Sequence, residues 1–397
     1  MTTALTELQT LAVGLFALVV ASAIARRVPL LLRFNVPIPV IGGVLVAIVV
    51  ALLHRYSGRS FQFAGQLTNF CLLAFFTTIG LSAKLSALKA GGRPLVILCA
   101  VTVILLVVQN IVGILLASVV GVHPFYGLLI GSVSFVGGPG TAAAWAKEAE
   151  AVGLTYAPEV AVGAATLAVV TGAIVSGPVT GWLIQRKNLR GPGDASASWA
   201  APESAPKPAP PISTLIRVLL LIVIAILVGD VVNQWARAEG MVLPGFLTAM
   251  LVGVLITNVG DMVGTEINLP AIERSGEITL QVFLVMYLMS LKLWTLGAAI
   301  GPLMINVVLQ VVVTVLVAVL VLFRWLGRDY DAAVTAGGFL GFGLSSMPVA
   351  MATMDSVALR HGPSPKAFLL IALAGSFFVD LANAFVVKGF LLLPLFH

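Results

Sequence analysis

The chain has 397 residues, 59% of them hydrophobic and only 10% charged, with a formal net charge of +6. Soluble domains carry roughly 25% charged residues, so this chain lacks the charge to cover its own surface, and lipid must supply much of its solvent. The positive balance points away from nucleic acid, because Lys and Arg of membrane proteins gather in cytoplasmic loops.

A membrane-spanning helix needs roughly 20 mostly apolar residues. The first such segment is expected at about 8–26. Its basic residues, Arg26 and Arg27, follow the apolar run, the reverse of a signal peptide's order, so it reads as a retained helix. Further spans are expected at 36–54, 67–83, 95–120 and 158–184. The stretch 188–212 is rich in Pro, Ala, Ser and Gly, cannot bury enough apolar surface to fold, and reads as a flexible linker. Five more spans follow near 213–233, 243–260, 278–296, 299–325 and 366–394. Cys71 and Cys99 both lie in apolar runs, which makes them packing residues and not a disulfide framework.

Each half holds one apolar segment that does not suit a straight span, at about 125–147 and 331–356. Gly137, Gly138 and Gly140 cluster in the first; Gly337, Gly338, Gly341 and Gly343 cluster in the second. Glycine permits sharp turns and close backbone approach, and broken backbone survives at membrane depth only where protein or water covers it. Both segments are read as re-entrant hairpins. They also match each other in a wider repeat: Thr77–Leu81 is echoed by Tyr287–Leu291, and Gln109 by Gln310, at offsets near 200 residues. Residues 1–187 thus form one half and 213–397 the other, about the linker 188–212.

With the N-terminus outside, sixteen of the 22 Lys and Arg residues fall on the linker's side and six on the other, a strong positive-inside bias. Both termini then lie outside and the linker is cytoplasmic. Five spans per half is an odd number, so the second half is inverted relative to the first. The expected fold is all-α and polytopic, with two inverted-topology repeats of five transmembrane helices, each bearing a re-entrant hairpin. Inverted repeats whose broken segments meet near the midplane are a recurrent secondary-transporter design, though channels also use paired half-helices.

Ionisable groups cost roughly 2.5–3.5 kcal/mol at the centre of a spanning helix, which marks them as sites or paired groups. Asp380 and Asn383 stand three apart on one helix face and offer the hard oxygen ligands that small cations prefer; they are candidate sodium ligands. The hairpin tips put Gly137, Gly138, Gly140 and Thr141, and Gly341, Gly343, Ser345 and Ser346, where free N–H groups at helix starts would take a carboxylate. Thr77 and Thr78 suit either ion binding or bonds to their own helix carbonyls. Gln109, Asn110, Asn306 and Gln310 read as interhelical partners. No HExxH, GxSxG or phosphate-loop pattern is present, and no strand precedes the glycine-rich tips, so an enzyme is not expected.

At LAFFTTIGLSA (73–83), GGPGTAAAW (137–145), MSLKLW (289–294), GRDYDAAV (327–334), GFGLSSMP (341–348) and FFVDLANAFVVK (377–388) the chain resembles the bacterial sodium/glutamate symporter family. The likeness covers nearly the whole length apart from the linker. It departs at the first tip, where Val136 and Pro139 replace the family's Ser and His. The resemblance implies sodium-coupled uptake of glutamate by a homodimer in the bacterial inner membrane, with Na+ as coupling ion. It also implies that the loop tips and the Asp380–Asn383 segment bind substrate and sodium. A carrier of another acidic amino acid or a dicarboxylate, and a channel, are the alternatives.

Overall fold

The computed structural model describes residues 2–28, 37–58, 60–88, 91–189, 191, 211–239, 243–264, 267–292 and 300–396. Most of the expected linker, and the end of the 289–294 motif, lie outside the described residues.

Helices occupy all ten expected spans. The first half contains α1 (Glu7–Arg27), α2 (Ile38–Ser57), α3 (Gln66–Leu81) and α4 (Gly92–Val120). The segment expected at 125–147 follows as α5 (Pro124–Leu129), α6 (Ser132–Phe135) and α7 (Gly138–Ala151), and then comes α8 (Ala157–Arg186). The second half runs α9 (Ile212–Ala238), α10 (Gly245–Val263), α11 (Leu269–Leu288) and α12 (Ile300–Leu316), the last continuing through a π-helical turn at Val317–Leu322. Next come α13 (Tyr330–Leu344) and α14 (Met347–His361), then α15 (Pro365–Leu373), a π-helical turn at Ala374–Phe378, and α16 (Val379–Leu391). Among the described residues seven helices are long and apolar enough to cross a membrane, and large hydrophobic side chains such as Phe16, Leu115 and Leu227 lie exposed along them. The protein is a polytopic membrane protein, all-helical among the described residues apart from one short parallel strand pair, Thr2–Ala4 with Ser60–Gln62.

Sequence signals explain where helices start. The Thr6 hydroxyl and the Gln9 side chain form a capping box on α1, and Asp329 accepts from the Ala332 N–H (2.7 Å) to start α13. The expected span at 278–296 begins nine residues early in the structure, because Asn268 caps the Ala271 N–H and Pro270 occupies the first turn of α11. Glu273, Arg274 and Glu277, which hydropathy counts against a span, therefore lie on that helix.

The chain divides into two compact units, each drawing on both halves of the sequence. The first contains α1 to α3 and α9 to α11; the second contains α4 to α8 and α12 to α16. Within the first unit α3 crosses α10 at glycines: a Cβ on Gly80 would lie 2.0 Å from the Met250 carbonyl oxygen, and one on Gly253 would lie 2.9 Å from that of Thr77. Small residues at membrane-helix crossings allow such contact. Side chains of α10 then close the end of α3, Thr257 donating to the Leu81 carbonyl and Asn258 to that of Ala83, each at 2.8 Å. Because the obstacle at Gly80 is backbone, Gly80→Ala is expected to cost about 1–3 kcal/mol or more. Thermal unfolding of purified protein in detergent checks this: the midpoint should fall for Gly80→Ala and stay for Gly177→Ala, where a Cβ meets nothing within 4 Å.

Candidate functional site

Both segments marked out by their glycines are interrupted helices of the second unit. In the first, α5 stops at Ile130–Gly131, the short α6 stops at Val136–Gly137, and α7 begins at Gly138 with φ +67°. In the second, α13 ends at Leu344 and α14 begins at Met347, with Ser345 (φ −158°, ψ −83°) and an extended Ser346 between them. No side chain caps the start of α7 or α14. The N–H groups of the first turn thus keep the helix dipole's partial positive charge without a side-chain acceptor.

The two breaks meet. A Cβ on Gly138 would lie 3.3 Å from the Ser345 carbonyl oxygen, and one on Gly172 of α8 would lie 2.7 Å from the Ser345 Cβ. Met347 packs on the π-helical turn at Gly375, where a Cβ would overlap its sulfur at 1.9 Å. The start of α7, the start of α14 and the stretch leading into Asp380 are therefore one neighbourhood.

Side chains from neighbouring helices satisfy the freed backbone. Asn110 of α4 accepts from the Ser132 N–H (3.0 Å) and hydroxyl (2.9 Å) through Oδ1. Asn306 of α12 donates to the Ile130 carbonyl (2.7 Å), and Gln109 donates to the Gly343 carbonyl (2.9 Å) and Thr314 Oγ1 (3.0 Å). Gln310 donates to the Gln109 carbonyl at 3.0 Å. Helix α12, from the second half, thus caps the broken segment of the first, and α4, from the first half, caps that of the second. Three buried atoms of this lattice have no hydrogen-bond partner among the described residues: Gln109 Oε1, Gln310 Oε1 and Asn110 Nδ2. Buried polar groups are almost always paired, so two spare acceptors and one spare donor here are notable.

The expected site residues fall as follows. Gly137 and Gly138 form the first break, with Gly140 and buried Thr141 in the opening turn of α7. Ser345 is buried and Ser346 half-buried at the second break. Gly341 and Gly343 lie inside α13, ahead of the turn: a Cβ on Gly341 would come 2.3 Å from the Ala350 Cα, and Gly343 faces Leu105 and Thr314. Gly341 holds α13 against α14, a packing role that glycine content alone does not separate from a bend. Asn383 is buried and bonds Ser132 twice, accepting from its hydroxyl (2.7 Å) and donating to its carbonyl (3.2 Å). Asp380, one turn earlier, is half-buried with no hydrogen-bond or ion-pair partner among the described residues. Thr77 and Thr78 belong to the first unit and donate to the Leu73 (2.8 Å) and Phe75 (2.7 Å) carbonyls of their own helix. Ser132 was not foreseen, since a lone serine in an apolar run gives no signal. Gln109, Asn110, Asn306 and Gln310 were expected only as helix partners, and their repeat-like spacing was the available clue.

No group of three or more His, Cys, Asp or Glu suited to a metal ion occurs among the described residues. The polar atoms that converge are amides, hydroxyls, backbone groups and one carboxylate. The chain matches the profile of the family described as "Sodium/glutamate symporter" over residues 3–363. The sodium/glutamate symporter of Escherichia coli is 38% identical over 396 residues, 99% of either chain. That of Haemophilus influenzae is 36% identical over 386 residues, 96% of either chain. The chain belongs to the sodium/glutamate symporter family. Members are transporters and not enzymes, with Na+ as the coupling ion. In this sodium/glutamate symporter family member three of the six motifs have distinct structural tasks: GRDYDAAV starts α13 through the Asp329 cap, LAFFTTIGLSA forms the α3–α10 crossing, and FFVDLANAFVVK carries Asn383 to the first break.

Proposed function

We propose that this protein is a secondary active transporter that brings L-glutamate into the cell with sodium by alternating access. Its two interrupted segments are re-entrant hairpins of inverted repeats, entering from opposite faces and holding the substrate near the midplane. The observation that carries this reading is the meeting of two helix starts without side-chain caps, Gly138 beside the Ser345 carbonyl. Two such starts in one place suit the two carboxylates of an acidic amino acid. The N–H groups of Gly138, Gly140 and Thr141 and the hydroxyls of Thr141, Ser345 and Ser346 take up those carboxylates, and the orphan Asn110 Nδ2 supplies a further donor.

Sodium sits nearby on Asp380 and Asn383 with carbonyl oxygens of the broken backbone. Its charge offsets that of a net-negative substrate where the dielectric is low, so each favours the other's binding, and such coupling is reciprocal. The halves contribute matching elements to each compact unit, the first three spans of each half to one and the last two plus the broken segment to the other; this supports a repeat. The protein works as a homodimer in the bacterial inner membrane, termini outside and linker cytoplasmic, in keeping with its Lys and Arg distribution.

Radiolabelled glutamate uptake into proteoliposomes tests the function. An inward sodium gradient should drive accumulation above the outside concentration, and an equal potassium gradient should not. Equilibration without accumulation would indicate a pore, and accumulation indifferent to sodium would remove the coupling.

A further inference from the structure

A cavity of about 700 Å³ runs between α8 and α14, within the second unit. It begins beside the second break: Ala173 and Val349 line it, and Gly172 touches Ser345. At the other end Gln185 and Arg360 line it. Eleven or twelve helical residues along either wall amount to roughly 17 Å, about half the thickness of a hydrocarbon core.

Ala173, Gly177 and Gly181 recur every four residues on one face of α8. Small residues usually serve close helix contact, but a Cβ on Gly177 or Gly181 would meet nothing within 4 Å. Here they leave width. The facing wall of α14 presents Thr353 and Ser356, with exposed Arg360 one turn further on. A polar stripe at membrane depth is costly unless it lines water. At the far end Arg186 lies over the Trp182 ring at 5.1 Å, and Arg360 and His361 stand in the last turn of α14. Basic groups at the mouth of a low-dielectric cleft draw anions into it.

We propose that this groove is the passage between the substrate site and one membrane face, the linker's side, and that Arg360 draws the acidic substrate at its mouth. The inference rests on the transport function proposed above. A width kept open by unpacked glycines, a polar wall and a basic mouth together suit a small acidic amino acid, net-negative through its two carboxylates, travelling with water.

The test uses Gly177→Cys in the full chain with Cys71→Ala and Cys99→Ala, and Gly177→Leu in the natural chain. A membrane-impermeant thiol reagent should modify the Gly177→Cys protein from the Arg360 side only, and glutamate with sodium should slow the reaction. Modified protein, and the Gly177→Leu variant, should lose uptake by about tenfold or more, as a narrowed passage requires, while purified protein still binds glutamate in a thermal-shift assay. Arg360→Gln should raise the half-saturating glutamate concentration on that side alone. Full uptake by Gly177→Leu, or equal labelling from both sides, would overturn the passage. Lack of sodium-driven uptake in the natural chain would instead overturn the function on which it rests.

Discussion

Asp380→Ala is expected to abolish sodium activation of glutamate uptake while leaving the protein folded in the membrane. Asp380 opens α16 directly after a π-helical turn, an irregularity frequent at functional sites. It shares a face with Asn383, which is bonded to Ser132 at the first break. A carboxylate and a monovalent cation 4 Å apart interact by about 4 kcal/mol at an effective dielectric near 20, so its loss should weaken sodium binding by roughly a thousandfold. Asp380→Asn, which keeps an oxygen but not the charge, should fall between. Initial uptake rates across a sodium titration decide the matter. Sodium activation unchanged in Asp380→Ala would remove the residue from the cation site. The thermal midpoint should barely change, because no partner among the described residues is orphaned by its removal.

Gln109→Leu should damage both stability and transport. Its amide donates to the Gly343 carbonyl, one of the last carbonyls of α13, which has no intrahelical partner, and to Thr314. Leucine leaves that buried carbonyl without its donor, at about 1–3 kcal/mol. The carbonyl lies two residues before Ser345, so the second break should shift as well as soften. Thermal unfolding and uptake should decline together, whereas Thr314→Val, which removes only the hydroxyl partner, should be milder. If Gln109→Leu retained the parent's midpoint and uptake rate, the amide would not be holding the second break.

How much was legible beforehand depended on whether the signal was local. Ten apolar runs gave ten helices, since in lipid every backbone group must bond within its own segment. The breaks at 136–137 and 345–346 fall inside the two marked segments; Gly137, Gly138 and Pro139 stand at the first, whereas the second falls at two serines just ahead of Pro348 in the first turn of α14. Asn268 displaced the eighth span, and that cap could have been weighed over hydropathy. By contrast, Gly341 and Gly343 read from sequence as part of a turn, and the structure puts them inside α13. A glycine that bends a chain and one that admits a neighbour look identical in sequence; only the 2.3 Å approach of Ala350 separates them.

The chain's order of residues alone decided that it lives in lipid, where its helices run, which two segments break, and that Asp380 and Asn383 share a helix face. Those properties follow from nearest-neighbour chemistry: hydropathy, caps and turn residues act over one or two turns. Only the tertiary structure decided that the elements group into two units drawn from both halves, that Gly138 meets Ser345, that Ser132 joins Asn110 to Asn383, and that a groove runs from the break to Arg360. Apolar contact has no direction and small residues no fixed partner, so which helices pack together is a property of the assembled fold.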